Sequence, residues 1–305
     1  MNTRAMVVGG QFNYVANWPT ATHVMIEALP ERNPKIEFLS FKWSTTPEFE
    51  TEAYRDLYGN HKRRFLLPVG DNVFGWEAVV RIPDALDEYD LDAEQVPVDK
   101  LPIDVLPYLS SSRYVHSDLI GKQAWEMFGD FPAGYRRAAE VQHWLWQNIE
   151  YRTGSTGSDY TANDCFNNRY GICRDFAQTF VMFCRALNMP ARYISGILPD
   201  LDVPPEPCDM DFHAFAQVYL GGRWWTFDPR WGKLRKGHII IGHGRDAADT
   251  PLIVTFGNPW MKRMTVTYHE IPDPETGTFG PPEGSPPGDM SPLPQYAGMT
   301  RPSGH

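Results

Sequence analysis

The sequence predicts an α+β protein of two units: an antiparallel β-sandwich-like unit, then helices packed on a second antiparallel sheet. Three observations carry this. Residues 5–85 hold runs rich in β-branched and aromatic residues and no helical repeat of any length. Apolar residues then recur at helical spacing through 133–149 and again after Cys173. Strand-like runs return beyond residue 190, and helices followed by antiparallel strands mark the α+β class. At 305 residues the chain is long for a single core, so two domains with extensions are expected.

In the first unit the strands are THVMIEAL, KIEFLSFKW, the run around RRFLLPV, and GWEAVVRI. The alternation in KIEFLSFKW slips between Phe38 and Leu39, which marks a bulge, and Tyr58-Gly59-Asn60-His61 reads as a turn. Residues 84–116 are acidic and proline-rich, the pattern of an irregular connector with a solvated surface. Helices follow at 117–129, capped by Ser117 or Asp118, and at 133–149, where Ala138, Val141, Leu145 and Ile149 repeat. Trp144 and Trp146 widen that stripe as core residues. A third helix starts at Arg174, and strands are expected at ARYISGIL, HAFAQVYL, RWWTFDP, HIIIG and MKRMTVTYH. Beyond Ile271 Pro, Gly and Ser dominate, so this stretch is a flexible tail or an arm lying on the body. The expected division is 1–112 for the β-rich domain with its connector, 113–270 for the catalytic domain and 271–305 for the tail.

Composition narrows function. A formal charge of −10 argues against a general nucleic-acid or anionic-membrane surface, both of which need a cationic footprint. No apolar run approaches a membrane span, and the N-terminus lacks the apolar core of a signal peptide, so a cytoplasmic protein is expected. The cysteines Cys165, Cys173, Cys184 and Cys208 show no C-x-x-C and no zinc-like spacing, which suggests free thiols in a reducing compartment. Cys184 lies on the Phe180, Val181, Leu187 face of its helix and should simply be packed. His238 and His243 bracket a short apolar strand without a carboxylate or cysteine partner at ligand spacing. No metal and no cofactor are therefore expected.

The chemistry centres on Cys173. It stands where a turn-prone segment meets a helix start, whose free N–H groups and positive dipole end favour a thiolate. A base and an orienting group are supplied by HAFAQVYLGGRWWTFD at 213–228. If Gly221-Gly222 forms a two-residue turn, Leu220 faces Arg223 and Phe215 faces Asp228. His213 then shares a face with Asp228 as a diagonal neighbour, within reach of a side-chain hydrogen bond. A turn one residue longer or shorter would put them on opposite faces. Asp175 reads as a structural complement to the helix dipole. Asn163 and Asn167 are candidates for a second oxyanion donor from proximity alone, with a cap at Asn163 or Asp164 as the simpler role. Trp224, Trp225, Trp231 and Tyr193 could wall a cleft or fill the core.

Three blocks, Y-G-I-C-R-D-F-A-Q at 170–178, H-A-F at 213–215 and W-W-T-F-D-P at 224–229, resemble the motifs of the transglutaminase-like superfamily in the same order. The chain is most similar to the transglutaminase-like cysteine peptidases of bacteria. The likeness extends to Gly244–Asp249, to Tyr54–Asn60 and to the stretch ending at Tyr114, and so spans most of 20–255. It implies a papain-like fold in the C-terminal domain, with Cys173 as nucleophile, His213 as general base and acid and Asp228 as orienter. Phe215 stands where the family often has Trp, and Gln178 where many relatives have His. The implied activity is hydrolysis of a peptide, protein or small amide through a thioester. Acyl transfer to an amine and a non-catalytic binding module are the alternatives that the motifs leave open.

Overall fold

The computed structural model describes residues 2–281 and 283–300. Six strands come first: β1 (Thr3–Ala16), β2 (Thr20–Val24), β3 (Glu37–Thr46), β4 (Glu52–Arg55), β5 (His61–Leu67) and β6 (Gly70–Pro83). Beyond the connector lie α1 (Gly121–Phe128), α2 (Tyr135–Asn148), β7 (Glu150–Tyr151), α3 (Ala162–Asn168), β8 (Tyr170–Gly171) and α4 (Cys173–Ala186). Then come β9 (Ala191–Ile197), β10 (His213–Leu220), β11 (Arg223–Phe227), β12 (Leu234–Arg235) and β13 (Ile239–Gly244). The chain closes with β14 (Ile253–Thr255), β15 (Trp260–Glu270) and β16 (Asp289–Met290).

Two antiparallel sheets, ordered β15-β1-β6-β3 and β14-β2-β5-β4, face each other as a sandwich. Met6, Val8 and Phe12 alternate inward on β1 to meet Phe65, Leu67 and Phe74 in one core, as a half-buried strand requires. The register of β3 on β6 shifts between Phe38 and Ser40, where the broken alternation places a bulge. One expectation needs correction. The run MKRMTVTYH, assigned to the C-terminal domain, pairs with β1, Val266 lying opposite Gly10, and β14 pairs with β2. The chain thus returns to its first unit, and a domain ending at residue 270 takes in strands that belong elsewhere. Alternation identifies a strand and its inner face but not its partner.

The sheet of the second unit is antiparallel, ordered β11-β10-β9-β13, with α4 laid on one face. Phe176, Phe180 and Phe183 of α4 pack with Ala216, Val218 and Leu220 of β10, and α1, α2 and α3 cover the helix from the other side. Cys184 is fully buried in this core, as its helix face requires. The helix expected from 117 starts later. Residues 117–119 form a 3-10 turn and α1 begins at Gly121, with no side-chain cap; Asp118 instead accepts a hydrogen bond from the Ser111 hydroxyl.

The three stretches to which the likeness extends, Tyr54–Asn60, the one ending at Tyr114 and Gly244–Asp249, meet at the junction of the two units. Tyr58 Oη donates to Asp249 Oδ2 (2.7 Å), and Arg245 Nε donates to both Tyr58 and Asp249. Asn60 Nδ2 donates to the His243 carbonyl (2.8 Å), and Asp246 Oδ2 accepts the Tyr114 N–H (2.8 Å). The late arm is docked: β16 pairs with β12, Leu293 is buried in the helical core, and Tyr296 stacks on His143. Residues 301–305 of the expected tail lie outside the described residues.

Candidate active site

The start of α4 is held rigidly. α3 ends at Arg169 in the left-handed conformation (φ 64°), and β8 turns the chain into the helix. The Asp175 carboxylate accepts the Ile172 N–H (3.0 Å) and the Thr156 hydroxyl (2.6 Å), and pairs with Arg174 (3.0 Å). Asp175 therefore closes the first turn from within. A Cβ at Gly171 would lie 2.8 Å from the Asp175 Cβ and 3.1 Å from Cys165 Sγ, so this approach requires glycine. Cys173 is the first residue of α4, and its backbone N–H has no acceptor one turn back.

Gly221 and Gly222 both take positive φ (56° and 85°) and form the two-residue turn. Leu220 pairs with Arg223 and Ala216 with Phe227, the register expected from the glycines. It brings His213 Nε2 to 2.7 Å from Asp228 Oδ2, both groups buried. Cys173 lies close enough to His213 for each to shift the other's titration, and the Ala214 backbone acts on the thiol in the same sense as the imidazole. The structure thus brings together all three residues singled out in the sequence.

Burial alone would raise the Cys173 thiol, but the His213 hydrogen bond and charge outweigh it and hold the thiol below its ordinary value. Burial likewise opposes a proton on His213, yet Asp228 and then Cys173 raise it. Asp228 is pushed well below the carboxylate range: its two imidazole neighbours, His213 first, overcome desolvation. All three shifts favour a thiolate–imidazolium pair beside an ionised carboxylate.

Other expectations sort as follows. Asn163 and Asn167 are not placed at the sulfur by any contact; Thr161 caps α3 and Asp164 completes its capping box, while Asn167 is exposed. Trp225 joins the helical core, and Tyr193 packs beside Cys173 with Ala177 and Ala214. Arg230, which stacks on Tyr151 and pairs with Glu206 (2.9 Å), adds positive potential at the thiol. Gln178 is buried and accepts the Ala247 N–H (3.3 Å), a packing role.

The reading that His238 has no carboxylate partner is wrong. Its Nε2 lies 3.1 Å from Asp228 Oδ2 and its Nδ1 2.8 Å from Asp87 Oδ2, the latter an ion pair whose angle falls short of a hydrogen bond. Asp87 arrives from the connector, 151 residues upstream of His238 by their numbers, so no local spacing could reveal the pair. Donor atoms of His213, Asp228 and His238 lie within 4.8 Å of one another, and they could hold a metal only by giving up the protons that now join them. His243 has no carboxylate against its ring among the described residues. Behind the sheet, Arg32, Arg192, Trp224 and His238 help line a cavity of about 580 Å³.

A model of the transglutaminase-like superfamily matches residues 125–229. The fold is similar to the crystal structure of a candidate cysteine protease from Cytophaga hutchinsonii, with a TM-score of 0.78 and 30% identity, covering 93% of this chain and 96% of that one. An uncharacterised protein of Mycobacterium leprae is 33% identical over 109 residues, and one of Mycobacterium tuberculosis is 35% identical over 117. Those matches cover 35% of this chain and only 39% and 37% of the mycobacterial proteins. The chain belongs to the transglutaminase-like superfamily, whose members are cysteine-dependent hydrolases and transferases. No described helix is long and apolar enough to cross a membrane.

Proposed function

We propose that the protein is a cysteine-dependent amide or peptide hydrolase in which Cys173, His213 and Asp228 act as nucleophile, acid–base and orienter. The carrying observation is the buried His213–Asp228 pair, 2.7 Å apart, beside a helix-start Cys173 thiol that His213 holds below its ordinary value. The Cys173 thiolate attacks the amide carbonyl to give a tetrahedral oxyanion, which the Cys173 N–H at the helix start is placed to receive. Loss of one such donor typically costs about 3–4 kcal/mol of barrier. Collapse breaks the C–N bond, His213 gives its proton to the leaving amine, and a thioester remains. His213 then takes a proton from water as the water attacks the thioester, releasing the acid and restoring the thiol. Likeness to a candidate protease favours water over an amine as acceptor and a peptide or protein as substrate. Four free cysteines favour a reducing, cytoplasmic setting. In this reading the catalytic domain begins near residue 113, and the β-sandwich, completed by residues 253–270, supports it.

The test is incubation with a peptide library and a labelled primary amine, read by mass spectrometry. New termini or deamidated glutamines that vanish in Cys173→Ala and His213→Ala support the hydrolase. Amine incorporation with the same dependence replaces it by the transferase. Turnover that survives Cys173→Ala, or an unreactive Cys173 thiol, rejects the triad.

A further inference from the structure

Asp228 Oδ2 serves two imidazoles at once, His213 at 2.7 Å and His238 at 3.1 Å, while Oδ1 accepts the Arg230 N–H (3.2 Å). An orienting carboxylate in a triad needs only one imidazole. The second is built as carefully as the first. His238 is fixed between two carboxylates, Asp87 and Asp228, and its ring packs 4.5 Å from that of Phe215. Asp87 is itself held, accepting the Arg235 N–H (3.2 Å).

We propose that His238 is a positioning residue of this reaction: an imidazolium pinned by Asp87 that locks the Asp228 carboxylate on the His213 axis and sets the pH window of the Cys173–His213 pair. The inference rests on the triad reading above. Its geometric half follows from occupancy. With Oδ2 shared between two rings and Oδ1 on a backbone N–H, the carboxylate has no free rotation that keeps its partners. Its electrostatic half follows from charge sharing. The two rings lie 6.3 Å apart, so a positive His238 weakens the grip of Asp228 on the His213 proton. A general acid held too tightly cannot release its proton to a leaving amine.

The surrounding groups support a charged His238. Burial opposes its proton, but Asp87 and Asp228 outweigh burial and raise it to about 9. Arg235, which feels Asp228 and Asp200, is the cation behind the carboxylates. His213 faces Cys173 and Asp228, with Asp211 close enough to sense it. None of these groups replaces a cation at the second lone pair of Asp228 Oδ2.

The experiment uses the full chain and needs no substrate: the rate of Cys173 alkylation by iodoacetamide is followed against pH, with melting curves alongside. His238→Gln keeps a donor to Asp228 but removes the charge. Both limbs of its profile should move to higher pH, the alkaline limb by more, about one pH unit. Asp87→Asn removes the near cation together with a more distant anion, so its alkaline limb should rise by less. The double variant should move no further than His238→Gln alone. Unmoved limbs in folded His238→Gln and Asp87→Asn overturn the inference and leave a merely structural histidine. Should His238→Gln fail to fold, an unmoved limb in Asp87→Asn overturns it alone. A wild-type thiol without fast alkylation dependent on His213 overturns the triad reading as well, and so separates the two failures.

Discussion

The two ends of the strands around the sheet of the candidate site hold histidines in opposite fields. At one end His213 and His238 share Asp228, and His238 also has Asp87; both rings are raised. At the other, His243 lies on β13 among tyrosines and near two arginines. Burial first, then Arg192 and Arg32, press it down to about 2, so it stays neutral. Burial is common to all three rings and would neutralise each. Only the carboxylates, delivered by a hairpin and a connector, raise two of them against burial. The cysteines repeat the lesson: burial pushes Cys165 up to about 12, whereas Cys173, also desolvated though less fully covered, goes down because of the neighbouring His213 imidazole.

The largest effect should come from breaking the acidic end at its shared atom. Asp228→Asn is expected to lower kcat/KM by about 10²–10⁴-fold, mostly in kcat, because a neutral amide neither fixes the tautomer nor holds the imidazolium. Steady-state kinetics on any Cys173-dependent substrate would check this. Next comes the pH profile. Activity should rise through a thiol limb below the usual cysteine value near 8.5 and fall through an imidazole limb above 6.5, and His213→Ala should return thiol alkylation to the ordinary range.

Stability gives a smaller contrast. A group raised on folding contributes stability that is fully present below its unfolded value near 6.5 and lost as pH climbs through its folded value. The wild type should therefore lose on the order of 3 kcal/mol between pH 6.5 and 9 through His238, and His238→Gln should flatten that slope in urea unfolding. The smallest effect belongs to the cationic end. Arg192→Met should raise the His243 imidazole, visible by NMR titration, yet leave turnover within about twofold, since that ring is not joined to the triad.

Much of the site was legible because its parts are local. The helix start at Cys173 and the Gly221-Gly222 turn are short-range features, and the turn fixes which face His213 and Asp228 share. The bulge after Phe38 was legible for the same reason: a slipped alternation needs no partner to be seen. Asp87 was not, because nothing in the connector marks which of its acids turns inward. The helix expected from 117 also failed locally, since Ser117 and Asp118 lie in a 3-10 turn where Ser111 takes the carboxylate.

By itself, then, the sequence determined the α+β class, the face shared by His213 and Asp228 and the helix start at Cys173, since periodicity, turn chemistry and helix ends are properties of neighbours along the chain. Tertiary structure alone decided that residues 253–270 return to the first sandwich, that Tyr58 and Asp249 clasp the two units, and that Asp87 stands behind His238. Those contacts join positions far apart in the chain, and a carboxylate's influence on an imidazole depends on ångströms through a buried medium rather than on residues counted between them.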